Sequence, residues 1–223
     1  MRHVIAKFNE PARPVRWAST RSVPKGWNRN THYHDRLLAA LPVDCRRVLD
    51  VGCGLGTFAR RLARVVEHVD ALDRDRETLA QAERLSGGLP NVRFVEADFL
   101  TRQPEGPYDA VSMVAVLHHM PFREALIKAA ALLRPGGVLL VLGLDRSPSW
   151  SHYVTTGAVA TLISGWHRIV HRSSPVGAPI AEPQMTLREI RDECAPLLPD
   201  AVIRRHALLR YSLIWTKPSD TAD

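Results

Sequence analysis

Three glycines spaced two apart follow an apolar run in VLDVGCGLGTFAR, residues 48–60. Gly52, Gly54 and Gly56 give the spacing GxGxG, and the chain then continues in a helical pattern. Glycine tolerates positive φ and lets a ligand approach the main chain. A helix that follows offers free N–H groups and a partial positive charge, worth about 0.3–1 kcal/mol to a nearby anion. Carboxylates recur at comparable places: Asp50 ahead of the loop, Asp73 in ALDRD, 21 residues after Gly52, and Asp98 in VEADF. A carboxylate placed like Asp73, at the end of a second strand, accepts from both hydroxyls of an adenosine ribose. Asp98 can accept from an exocyclic amine, with Arg74 and Phe99 beside a flat ring. These groups suit a ribose, a purine and a compact charged tail, and no pyrophosphate is required. The dinucleotide fingerprint GxGxxG puts its third glycine one place later, where this chain has Thr57. His118 and His119, in VLHHM, add side chains that titrate near neutrality and suit a general base.

These residues need elements to hold them. Apolar strands are expected at Val48–Val51, Val69–Leu72, Val92–Val95, Ala110–Val114 and Val138–Leu144. Helical patterns fall at His34–Leu41, Thr57–Val66, Arg76–Leu85 and Arg123–Leu133, the last stopped by RPGG. Strands without polar alternation are buried on both faces, as in parallel sheets covered by helices. Strand–helix alternation at this spacing implies right-handed crossovers and a doubly wound α/β sheet. In such sheets ligands bind beyond the carboxyl ends of the strands, where the glycine loop and the three aspartates fall. Residues 145–180 break the rhythm and read as a helical insertion. A helix then starts near Thr186, whose hydroxyl can form a capping box with Glu189. Two closing strands, Ala201–Leu209 and Tyr211–Thr216, are close enough in sequence to pair antiparallel.

The composition is that of a globular protein: 223 residues, 45% apolar and 24% charged. The net charge of +7 is uneven. Residues 1–30 hold seven Lys/Arg and one acid, Glu10, so nearly all the excess lies there. Residues 1–25 are therefore expected to form a basic arm broken by prolines, and residues 26–223 the folded domain. The arm reads as a loosely ordered tail; contact with nucleic acid or an acidic substrate, or a transit peptide, are the alternatives. Cys45, Cys53 and Cys194 show no CxxC pairing and no metal-like spacing, which reads as bystander thiols in a reducing cytoplasm. The longest mostly apolar stretch, Tyr153–Trp166, has 14 residues, whereas a spanning helix needs about 20. No membrane partner, transmembrane segment or signal peptide is expected.

As a set, VLDVGCGLG (48–56), ALDRD (71–75), VEADF (95–99), YDAVSMVAVLHHM (108–120) and LLRPGGVLLV (132–141) resemble the class I S-adenosylmethionine-dependent methyltransferases in order and spacing. RYSLIWTKP (210–218) is similar to that family's last strand, which inserts antiparallel. The resemblance implies a seven-stranded, mostly parallel, Rossmann-like sheet with S-adenosyl-L-methionine as cofactor. It implies that Gly52, Gly54 and Gly56 line the methionine part and that Asp50 sits behind them near the amino group. It gives Asp73 the ribose, Asp98 the adenine with Arg74 and Phe99 alongside, and Met113 and Val114 a cofactor contact from the fourth strand. Tyr33, in the segment ahead of the first strand, would reach the cofactor's carboxylate. Trp27 and His34 from that segment, and Trp150 and Tyr153 from the 145–180 insertion, are the acceptor-lining candidates.

Methyl transfer is an in-line displacement at a carbon activated by a sulfonium, so the nucleophile must be held close and aligned. A hydroxyl or a protonated amine also needs a base. His118 and His119 are the candidates, and adjacent residues point different ways, so at most one of the pair acts. No Asn/Asp-Pro-Pro-Tyr follows the fourth strand, which disfavours methylation of nucleic-acid base amines. No cysteine stands there for carbon methylation, and no metal cluster is apparent. The expected reaction is therefore methyl transfer to an O or N atom of a small-molecule acceptor, apolar or aromatic given the insertion's side chains. The insertion fits a lid or a homodimer interface equally well. The alternatives are a cyclase-like enzyme using the same cofactor, a non-catalytic regulator that binds it, and a dehydrogenase, which the glycine spacing opposes.

Overall fold

The computed structural model describes residues 30–146, 183–207 and 209–219. The basic arm, Trp27, Trp150, Tyr153 and nearly all of the 145–180 insertion lie outside the described residues.

Seven strands form one sheet. They are β1 (Arg47–Val51), β2 (His68–Asp73), β3 (Val92–Glu96), β4 (Tyr108–Val114), β5 (Leu133–Leu144), β6 (Val202–His206) and β7 (Arg210–Thr216), in the spatial order β3-β2-β1-β4-β5-β7-β6. Pairs β1·β2, β1·β4, β2·β3 and β4·β5 are parallel, and β7 lies antiparallel between β5 and β6. The expected doubly wound sheet with a reversed last strand is what forms. The strand order turns back at β1, and the chain leaves β1 and β4 towards helices on opposite faces of the sheet, which opens a crevice at their carboxyl ends.

The described helices are α1 (His34–Leu38), α2 (Ala59–Leu62), α3 (Arg76–Ser86), α4 (Phe122–Leu132) and α5 (Leu187–Leu197). Asp75 caps α3 by accepting from the Thr78 N–H, and Gly87 ends it at φ +57°. Thr186 and Glu189 form the full capping box at α5. One apolar layer joins α4 and α5 to the face of the sheet that carries Leu49, Val51, Val111, Met113 and Leu139. The other joins α1 and α2, through Leu37, Ala59 and Leu62, to the face that carries Val48, Ala110 and Leu140. Strand alternation sorts neighbouring residues between the two layers.

The helix expected over His34–Leu41 ends at Leu38 and the strand expected over Ala201–Leu209 spans Val202–His206; two other elements differ more from their sequence patterns. The helix expected over Thr57–Val66 is regular only over Ala59–Leu62, because turns occupy both flanks, although Phe58, Leu62 and Val66 are buried as the pattern requires. The helix ahead of RPGG does stop, at Leu132, but RPGG itself lies inside β5. Leu133 already pairs with Tyr108, and a register shift between Tyr108 and Ala110 absorbs the extra residues. A Cβ on Gly137 would come within 2.9 Å of the Arg134 carbonyl, so this irregular stretch requires glycine there.

Among the described residues no helix is long and apolar enough to cross a membrane, and no group of three or more His, Cys, Asp or Glu side chains is placed to hold a metal.

Candidate active site

A cavity of about 830 Å³ opens where β1, β2 and β4 end. The glycine loop forms its floor. Gly52, Gly54 and Gly56 all adopt positive φ, +66°, +52° and +69°. A Cβ on Gly52 would meet the Val116 side chain at 2.2 Å, so the loop after β4 passes too close for any side chain there. A Cβ on Gly54 would meet nothing within 4 Å, and Gly54 lines the cavity; a side chain there would occupy the ligand's space. Gly56 faces the other way, against the Phe94 ring, and does not line the cavity. Its glycine is required by packing. Arg60 braces the loop from beneath by donating to the Leu55 carbonyl at 2.6 Å.

The strand-end carboxylates surround this floor. Asp73 lines the cavity; its Oδ2 accepts from the Gly54 N–H (2.8 Å) and its Oδ1 from the Asp75 N–H (3.0 Å). A carboxylate offers about four lone-pair sites, so each oxygen keeps capacity for a ligand hydroxyl. Asp98 Oδ1 accepts from Leu100 N–H (2.7 Å) and Thr101 N–H (3.3 Å), holding a turn that keeps the carboxylate at the cavity wall. Arg74, Phe99 and Val114 line the wall as well. Asp50 is only 1% exposed. Its Oδ1 accepts from the Ser112 hydroxyl at 2.6 Å, across the Asp50–Ser112 register pair of β1 and β4. Its Oδ2 is buried with no hydrogen-bond partner. Burial, reinforced by Asp73, pushes the Asp50 carboxyl up to about 7 against the opposing pull of Ser112.

The expected catalytic pair lies within the short 3₁₀ turn Leu117–His119. His119 lines the cavity and His118 does not, although their rings lie 4.0 Å apart. Burial, with His119 and Arg210 adding repulsion, lowers His118 to about 4, and its Nδ1 is buried without a partner. Burial and the nearby Arg74 charge lower His119 from its ordinary value.

Two further expectations fall elsewhere. Tyr33 does not line the cavity: its hydroxyl donates to the Ala207 carbonyl (3.0 Å) and its ring stacks on His206 at 5.0 Å. Met113 is fully buried on the opposite face of the sheet from Asp50 and Ser112, because strand parity sends it to the α4–α5 layer. His34 does line the cavity, at its glycine-loop end, with its ring 4.7 Å from Phe58. The sequence reading missed Asn30, Thr78, Gln81 and Met120 in the lining. Thr78 and Gln81 had a legible signal, since they stand three apart on the helix that starts just after Asp73.

The match to known proteins agrees with this architecture. The family described as a methyltransferase domain matches residues 48–137. An uncharacterized methyltransferase of Mycobacterium tuberculosis is 36% identical over 203 residues, covering 86% of this chain and 98% of that protein. The ubiquinone biosynthesis O-methyltransferase of Xylella fastidiosa is 35% identical over 142 residues, which covers 60% of this chain and 57% of that protein. Among solved structures, the N-methyltransferase NodS from Bradyrhizobium japonicum in complex with S-adenosyl-L-homocysteine shares the fold, with a TM-score of 0.58 at 15% identity and 98% coverage of both chains. With a glycine loop at the end of β1, an acidic residue at the end of β2 and this relatedness, the chain belongs to the class I S-adenosylmethionine-dependent methyltransferases. It is an enzyme that moves a methyl group from S-adenosyl-L-methionine to an acceptor.

The residues present fit that cofactor. The open space at Gly54 leaves room for a ligand against the main chain, Asp73 keeps acceptor capacity for hydroxyls, and Asp50 has an oxygen without a partner.

Proposed function

We propose that this enzyme methylates a hydroxyl oxygen of a small-molecule acceptor, with His119 as the general base. The observation that carries this reading is the placement of the His119 imidazole in the cavity wall, just beyond the end of β4, where burial favours its uncharged form. The similarity to an O-methyltransferase over 142 residues supports oxygen over nitrogen. When bound, the cofactor supplies a methyl group already activated by a positively charged sulfur. The protein's tasks are then to place the acceptor in line, to exclude water and to take the hydroxyl proton. His119 takes that proton on a ring nitrogen. Asp73 would hold the ribose, Asp98 would accept from the adenine amine, and Arg74 and Phe99 would flank the purine. Asp50 would face the amino group. The aromatic side chains of the 145–180 segment support an acceptor with an apolar or aromatic body, and the cysteine usage supports a cytoplasmic setting.

The test uses phenolic and amine acceptors with labelled cofactor. A phenolic acceptor is expected to be methylated, and His119→Ala is expected to lower kcat by about 10²–10⁴-fold. The acid limb of the wild-type pH profile should lie below the ordinary histidine value near 6.5, because the base is active once deprotonated and its pKa is lowered. Full activity in His119→Ala, or transfer to amines alone, contradicts the reading.

A further inference from the structure

We propose that His34 is a cofactor-binding residue that donates its Nε2–H to the carboxylate of the cofactor's methionine end. The inference rests on the placement of the cofactor in the cavity described above.

His34 opens α1 and is only 2% exposed, yet it lines the cavity. Packing against Phe58 at 4.7 Å fixes its ring at the glycine-loop end. Of its two ring nitrogens, Nδ1 is sealed in the interior with no hydrogen-bond partner. A buried N–H without an acceptor is costly, so a neutral ring is best served by a proton on the nitrogen that is not sealed away. The proton of the neutral ring therefore belongs on Nε2, since Nδ1 is the ring nitrogen sealed away and the residue lines the cavity. Burial and the repulsion of Arg61 lower His34 to about 3, so the ring stays neutral and Nε2 remains a donor with a defined tautomer. Arg61, paired with Asp35, adds positive potential beside it.

The methionine end of the cofactor is a zwitterion and needs an acceptor for its ammonium and a donor for its carboxylate. The Asp50 oxygen without a partner supplies the first. Tyr33, the residue the sequence offers for the second, already donates to Ala207. His34 is a neighbouring donor that faces the cavity.

Three ligands separate the outcomes: S-adenosylmethionine, its decarboxylated analogue, and methylthioadenosine, which lacks the amino-acid part. Their affinities are measured by calorimetry for wild type, His34→Phe and His34→Gln. Phenylalanine keeps a ring against Phe58 and removes the donor, while glutamine restores an N–H near the Nε2 position. His34→Phe is expected to weaken S-adenosylmethionine about tenfold, leave the other two ligands within about twofold, and be rescued by glutamine. Equal loss for all three ligands, or wild-type affinity in His34→Phe, overturns the assignment of His34 alone. A wild-type protein that binds none of the three overturns the cavity placement with it.

Discussion

Asp50 has one oxygen occupied by Ser112 and another without a partner, and this asymmetry has a measurable consequence. Its folded-state pKa is raised to about 7, above its unfolded value of 3.8. Between those values the folded protein keeps a proton that the unfolded chain has released. Stability of the ligand-free protein from this group therefore falls as pH rises from about 4 towards 7. Asp50→Asn is expected to flatten that decline in denaturant titrations and to raise stability at pH 8. An ammonium brought beside Asp50 favours the ionised form, so cofactor binding at pH 6 should release close to one proton and at pH 8.5 almost none. Calorimetry in buffers of different ionisation enthalpy reads that count, and Asp50→Asn should abolish it. At this scale the sequence was legible where chemistry depends on place in the chain. Asp73, Asp98, Arg74 and Phe99 follow strand ends and line the cavity as the spacing implied. It was not legible where direction matters. Met113 and Val114 are neighbours in the chain but part to opposite faces, and only one of His118 and His119 reaches the cavity. A one-residue ambiguity in register or turn geometry reverses such assignments, and tertiary packing resolves it.

At the scale of elements, the rim opposite the cavity is held by Asp70 on β2. It accepts from Arg47 on β1 (2.9 Å), Arg93 on β3 (2.8 Å) and Tyr108 on β4 (2.9 Å), so one carboxylate ties four adjacent strands. Burial pushes its pKa up, but the hydrogen bonds from Arg93, Tyr108 and Arg47 outweigh it and hold the carboxyl below its ordinary 3.8. The depressed pKa gives a contribution to stability that is complete above about pH 4 and is lost as pH falls through the folded value. Asp70→Asn should therefore cost about 1–3 kcal/mol at pH 7 in urea unfolding, and the gap to wild type should narrow below pH 4. An unchanged midpoint at pH 7 would remove Asp70 from this role. The strands themselves were legible, because short apolar-rich runs without regular polar alternation recur between helical patterns. Their limits were less so. β5 begins at Leu133, well before its apolar run, because a bulge opposite Tyr108–Ala110 lets RPGG continue the ladder; the proline–glycine signal marked the end of α4 and not the start of the strand. The capping box at Thr186 needed no tertiary information and forms as expected.

At the scale of the whole molecule, one end of the sheet is braced and the other is open. Ion pairs and hydrogen bonds close the amino end of β1–β4, while the carboxyl end keeps a glycine floor, a ring of strand-end carboxylates and, on the cavity-lining Asp50, a buried oxygen without a partner. A protein interior rarely leaves such groups unmatched unless a ligand or ordered water completes them. The division of labour follows from the parallel topology, which gathers every strand–helix loop of the same sense at one rim. The central claim is that this rim holds the methyl donor with Asp73 on its sugar. A crystal structure with S-adenosyl-L-homocysteine bound tests it most directly. The account predicts both ribose hydroxyls within hydrogen-bond distance of the Asp73 carboxylate and the purine between Arg74 and Phe99, near Asp98. A ligand seated elsewhere, or an Asp73 carboxylate out of reach of either hydroxyl, would contradict it.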